Sequence, residues 1–145
     1  VEKSVAEVMS RDIASVSLND NIYEIAVIMA QKDTGFVPVV EDGNLIGAVT
    51  DRDMVIRGYA EKRSGSASVR EVMSDQLITV NPGTSADEAA EIMSREQIRR
   101  LPVVDNGKLV GIVSIGDLAV RNTLKSEAGA ALSQISEQEQ SYAPH

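Results

Sequence analysis

The sequence predicts an α/β (α+β) fold in which two β-α-β-β-α repeats pack about a pseudo-twofold into one module. Three observations predict it. Residues 5–57 lie on residues 69–121 without a gap, and 19 of the 53 aligned pairs are identical, where unrelated segments of this composition would share only a handful. Both copies show the same succession of short β-rich runs and helical spacings. A unit of three short strands and two helices cannot cover both faces of its own sheet, so two copies are expected to close the core together.

Residues 13–17 and 77–81 read as short strands, the second closed by the Asn81-Pro82-Gly83 turn. Ile22, Ile25, Ala26, Ile28 and Met29 then recur at helical spacing, as do Ala86, Ala89, Ala90, Ile92 and Met93. Asp20 or Asn21 can cap the first helix, and Thr84 or Ser85 the other, with Glu88 placed for a capping box. Residues 36–41 with 45–49, and 101–105 with 109–113, form hairpins across Gly43 and Gly107. Pro38 and Pro102 in those strands point to a sheet edge or a first strand position. A second helix follows each hairpin, over residues 51–59 and 115–123. The expected domains are residues 1–62 and 63–125, one repeat each, with a charged and then Ser/Gly-rich linker at 61–68. In 126–145, Ala128, Ala131, Leu132 and Ile135 give an amphipathic segment before a frayed tail.

Composition excludes much chemistry. The chain has 145 residues, no Cys, and one His, the terminal His145. Disulfides, thiolate metal sites, a cysteine nucleophile and a Ser-His-Asp site all lack their residues, so neither an enzyme nor a metal site is expected. A net charge of −8 opposes binding to nucleic acid or an anionic membrane. The longest apolar run, residues 25–30, is too short to cross a bilayer, and no signal-peptide pattern opens the chain. A cytoplasmic protein is expected.

The polar signal lies where each hairpin ends and the next helix begins: Gly47-Ala-Val-Thr-Asp-Arg-Asp53 and Gly111-Ile-Val-Ser-Ile-Gly-Asp117. Amides at a helix start favour an anion, Thr50 or Ser114 adds a hydroxyl, and Asp53 or Asp117 can accept bonds from both vicinal hydroxyls of a ribose. The same Thr/Ser-x-x-Asp pattern is also a capping motif that needs no ligand. Both readings stand at this point.

With Val-Met-Ser near the start of each copy, an apolar-Pro-Val-Val strand, a glycine turn and Gly-x-Val-[Thr/Ser]-x-x-Asp, the sequence resembles the cystathionine-β-synthase (CBS) domain family, twice in tandem, over residues 5–121. The resemblance implies two CBS repeats in one module, an adenine nucleotide (AMP, ADP or ATP) as ligand in clefts between them, no required cofactor, and disc-like homodimers of the stand-alone bacterial kind. It also implies the site residues. Thr50 and Asp53, with Asp51 and Arg52 beside them, would work with Arg70 and Arg100 facing phosphates and with Ile78 and Ile98 lining adenine. Ser114 and Asp117 would work with Met9, Ala14, Gly35 and Phe36, with Arg99 reaching a phosphate. Repeat 2 has Ile98-Arg-Arg100 where repeat 1 has Thr34-Gly-Phe36, and Arg70 stands against Ala6. The first site therefore ranks as the tighter for a phosphorylated ligand.

Blander expectations accompany these. Met9, Met29, Met54, Met73 and Met93 fall at apolar helical positions and read as core fillers. Arg52 reads as an exposed charge as readily as a phosphate ligand. Val55, Ile56, Tyr59, Leu118 and Val120 give apolar helix faces for pairing two copies. The expected function is a regulatory nucleotide sensor that signals to an unidentified protein partner. The alternative is a ligand-free structural dimerisation module, and S-adenosylmethionine or a nicotinamide dinucleotide stays open as ligand.

Overall fold

The computed structural model describes residues 3–121, as two compact units. One, the Asp53 unit, holds Ile13–Leu77 with Gly107–Leu109; the other, the Asp117 unit, holds, of the described residues, 3–12, Ile78–Asn106 and 110–121. The units do not follow the sequence repeats. Each takes the opening segment of one repeat and the body of the other.

In the Asp53 unit, helix α1 (Ile22–Lys32) starts where Asn21 and Glu24 close a capping box, and ends at Asp33 in the left-handed region. Strand β1 (Phe36–Glu41) turns back into β2 (Asn44–Thr50), antiparallel from Phe36↔Thr50 to Glu41↔Asn44 with a bulge between Val39 and Val40. The turn is Asp42-Gly43, with φ of 52° and 83°, the two positive values that a tight hairpin requires. Helix α2 (Asp51–Asp53) continues as a wider π-type turn over Met54–Tyr59. A 3₁₀ turn, Val69–Glu71, brings in the opening segment of repeat 2. Its Val69 and Val72 are fully buried with Val16, Ile22, Ile25, Val37, Val39 and Val49.

The Asp117 unit repeats this plan. Helix α3 (Ala86–Glu96) is capped by Ser85, whose hydroxyl accepts the Glu88 N–H at 3.0 Å; the Ser85 half of the expected box is the half that forms. Strands β3 (Arg100–Asp105) and β4 (Lys108–Ser114) flank the Asn106-Gly107 turn, with φ of 52° and 84°. Helix α4 (Ile115–Arg121) follows. Here the 3₁₀ turn Val5–Glu7 is the opening segment of repeat 1, and Val5 and Val8 are buried with Ala89, Ala90, Met93, Leu101, Val103, Val113 and Leu118. Two buried valines stabilise each such placement by roughly 1.5–3 kcal/mol apiece.

Three expectations need correction. Residues 13–17 and 77–81 are not strands but extended runs that touch the sheet at one residue each, Val16 beside Val39 and Val80 beside Val103. The prolines explain this. Val16 donates to the Pro38 carbonyl and accepts from Val40 N–H; Val80 does the same with Pro102 and Val104. The next parallel rung would need an N–H from Pro38 or Pro102, which proline lacks. The missing donor faces this side, as the edge reading required. The second correction is Leu118, which is fully buried in its unit's core and offers no face to a second copy. Third, Gly43 completes a two-residue turn, so Asn44 already belongs to β2. The expected amphipathic segment at 126–138, and the frayed tail, lie outside the described residues.

Candidate functional site

Thr50 is both the last residue of β2 and the N-cap of α2, so the strand delivers its hydroxyl to the start of the helix. Asp53 N–H donates to Thr50 Oγ1 at 3.1 Å, and Thr50 N–H donates to Asp53 Oδ2 at 2.9 Å. The capping reading is thus realised. The second carboxylate oxygen, Oδ1, stands 3.9 Å from Arg57 Nε. Ser114 and Asp117 repeat the motif, with Asp117 N–H to Ser114 Oγ at 3.1 Å and Ser114 N–H to Asp117 Oδ2 at 2.9 Å. In each case one carboxylate oxygen serves the helix and the other is outside the cap, so capping and ligand binding do not compete for the same atom.

The opening segments lie along the strands that carry these motifs. Ala48 and Ser74 exchange two backbone bonds of 2.9 Å, two residues before Thr50. Ser10 and Ile112 exchange bonds of 2.8 and 3.0 Å, two residues before Ser114. Glycine permits both approaches. A Cβ on Gly47 would stand 2.9 Å from the Ser74 carbonyl oxygen, and one on Gly111 would stand 2.8 Å from Met9 Cγ. Arg70 accordingly belongs to the unit of Asp53, and Met9 to the unit of Asp117.

The remaining candidates divide by unit. Gly35 lies with Asp53: Asp51 N–H donates to its carbonyl at 3.0 Å, and a Cβ there would meet Asp51 Oδ2 at 2.8 Å. Asp51 Oδ1 accepts Arg52 N–H at 2.8 Å, so Asp51 braces the start of α2. Phe36 and Ala14 are also in this unit, Ala14 two residues before the Val16 bridge. Arg52 and Arg70 are exposed, and no ion pair engages either among the described residues. Ile78, Ile98, Arg99 and Arg100 lie with Asp117. Ile115 N–H donates to the Arg99 carbonyl at 3.0 Å, which joins the start of β3 to the start of α4. Ile78 comes two residues before the Val80 bridge to β3, beyond the rung that Pro102 interrupts, and is 40% exposed. Arg100 is half-buried and in no ion pair among the described residues.

Sequence reasoning aligned Arg57 with Arg121 but gave it no role. In the structure Arg57 Nη1 donates to the Met73 carbonyl at 2.8 Å. The Asp-x-x-x-Arg spacing shared by the two repeats was the available signal. Among the described residues no group of three or more His, Cys, Asp or Glu could hold a metal ion, and no helix is long and apolar enough to cross a membrane.

Comparison with known proteins shows the family. The CBS domain family model matches residues 5–57 and again 69–121. "CBS domain-containing protein YhcV" of Bacillus subtilis is 47% identical over 135 residues, covering 93% of this chain and 96% of that protein. A solved structure described as a putative signal-transduction protein with CBS domains, from Burkholderia ambifaria, is similar with a TM-score of 0.72 at 35% identity, covering 82% of this chain and 93% of that one. CBSX2, solved in complex with AMP, has a TM-score of 0.71 at 27% identity, covering 82% and 94%. Two family matches in tandem, each ending just past its Thr/Ser-x-x-Asp motif, show that this chain belongs to the CBS domain family as a CBS pair.

Proposed function

We propose that this chain is a regulatory module that binds adenine nucleotides in the cytoplasm and signals their presence to a protein partner. Asp53 and Asp117 accept the ribose hydroxyls through the carboxylate oxygens not used in capping, and Arg70 and Arg100 meet phosphate. Arg100 carries the reading. Arg100 is half-buried at the start of β3, and no carboxylate pairs with it among the described residues, so its charge is open to an anionic ligand. Ile78, exposed, and Ile98, half-buried, lie in the same unit as Arg100 and are the apolar side chains we assign to the base. The AMP complex of CBSX2 supports AMP as the first ligand to try.

Calorimetric titration with AMP, ADP, ATP, adenosine, S-adenosylmethionine and NAD tests this. AMP is expected to saturate below millimolar concentration, and Arg100→Ala to weaken AMP far more than adenosine. Equal losses for both ligands remove Arg100 from the phosphate role, and no nucleotide binding at millimolar ligand overturns the proposal.

One observation favours a second reading, a structural module that pairs two copies. Val55, Ile56 and Tyr59 on the helix after β2 are 57%, 49% and 85% exposed, an apolar stripe whose burial in a homodimer would be favourable. Dimerisation is compatible with nucleotide binding, so the ligand titration separates the two readings.

A further inference from the structure

Arg57 makes contacts that the nucleotide reading does not yet use. Its Nε faces Asp53 Oδ1 at 3.9 Å, the oxygen outside the cap, while Nη1 donates to the Met73 carbonyl at 2.8 Å. Its own carbonyl accepts Arg63 Nε at 2.9 Å, and Arg63 Nη1 reaches Glu71 Oε1 at 2.8 Å. Glu71 closes the 3₁₀ turn Val69–Glu71 and Met73 lies two residues on, so the two arginines grip this segment at both points just beyond Arg70. All of these residues belong to the Asp53 unit.

Stability does not explain the arrangement. The Arg57 side chain is 49% exposed and that of Asp53 19%, and pairs so open to solvent contribute little to folding. Geometry explains it better, since a guanidinium is a planar fork that can address a carboxylate and a carbonyl from one rigid group. The repeats have diverged at 34 of 53 positions (53 less the 19 identical), yet Asp53 and Arg57 recur as Asp117 and Arg121.

We propose that Arg57 is the positioning residue of the Asp53 site, holding the carboxylate that takes the ribose and the segment that carries Arg70 in one fixed relation. This rests on the nucleotide reading of Asp53 and extends it. Arg57 touches no ligand; it acts by fixing the direction of Asp53 Oδ1 and by tying the 69–74 segment to the same helix.

The test is a double-mutant cycle read by AMP calorimetry, with Arg57→Met made in the wild type and in Asp53→Asn. In the wild type, Arg57→Met is expected to weaken AMP about tenfold, within the range of coupling between side chains of one charged network. Adenosine should weaken too but less than AMP, because the ribose acid and the segment that carries Arg70 are both loosened. In the Asp53→Asn background the AMP loss should be clearly smaller than in the wild type, the part that acts through the carboxylate being already gone. Arg57→Lys, which keeps the charge without the fork, should bind AMP between the two; it also decides the matter should Arg57→Met fail to fold, since wild-type affinity in the lysine variant overturns the proposal. The same loss in both backgrounds overturns it too, as does unaltered affinity in Arg57→Met. A wild type that binds no nucleotide fails the nucleotide reading itself and Arg57 with it, whereas a wild type that binds beside an indifferent Arg57→Met fails the positioning role alone.

Discussion

Thr50 and Asp53 exchange two hydrogen bonds, of 3.1 and 2.9 Å, that close the start of α2 and leave Asp53 Oδ1 outside the cap. Stability and binding can therefore be separated on one residue. Asn keeps an oxygen for the Thr50 N–H but loses the charge, so Asp53→Asn should melt close to the wild type while binding AMP much more weakly. Asp53→Ala should lose both, about 1 kcal/mol of stability and roughly 30- to 150-fold in affinity. Thermal melts and calorimetry on the pair check this, and full AMP affinity in Asp53→Asn takes the ribose role away from Asp53.

Gly47 and Gly111 are equivalent in sequence but differ in what crowds them. A Cβ on Gly47 would press on the Ser74 carbonyl, 2.9 Å away and fixed by its bond to Ala48 N–H. A Cβ on Gly111 would press on the Met9 side chain, hardest on Sδ and also on Cγ at 2.8 Å, so the whole unbranched side chain has to change rotamer while no main-chain atom has to move. Gly47→Ala should cost about 1–3 kcal/mol and Gly111→Ala clearly less. Urea denaturation of both variants checks the order, and the reverse order would contradict the distinction between backbone and side chain.

Glu7 gives a pH prediction. Its pKa lies below the usual 4.5, chiefly because Ser4 N–H donates to the carboxylate at 3.0 Å; desolvation opposes this, and Lys3 and the Ser4 hydroxyl add to the lowering. A lowered folded-state value means that Glu7 contributes stability above the unfolded pKa and loses it as pH falls through the folded one. The gap in melting temperature between wild type and Glu7→Ala should therefore narrow as pH drops from about 6 to about 3. A gap that is constant or widens over that range contradicts the assignment.

The exposed stripe of Val55, Ile56 and Tyr59 predicts association. Light scattering at micromolar protein should report twice the monomer mass, and Val55→Asp with Tyr59→Asp should give a monomer that still melts cooperatively, because both side chains lie outside the core. A wild type that stays monomeric over a broad concentration range rules this out.

Much of the fold was legible because the signals are local. Asp42-Gly43 and Asn106-Gly107 specify tight turns through backbone angles alone. Asn21 and Ser85 cap the helices that follow them, and Thr50 with Asp53 and Ser114 with Asp117 find each other within one turn. The duplication needed only the chain laid upon itself.

The tertiary structure decided which body each opening segment joins. Val5 and Val8 open one repeat, and Val69 and Val72 open the other with the same spacing. Either pair would fill either core, so the apolar pattern is degenerate and carries no partner. Only the path of the chain places Val69 and Val72 among Ile25, Val37 and Val49, and Val5 and Val8 among Met93, Leu101 and Val113. Arg57 is the same case at the site. Its partner is a carbonyl 16 residues away, and a main-chain oxygen looks alike at every position of a sequence until folding brings one of them within reach.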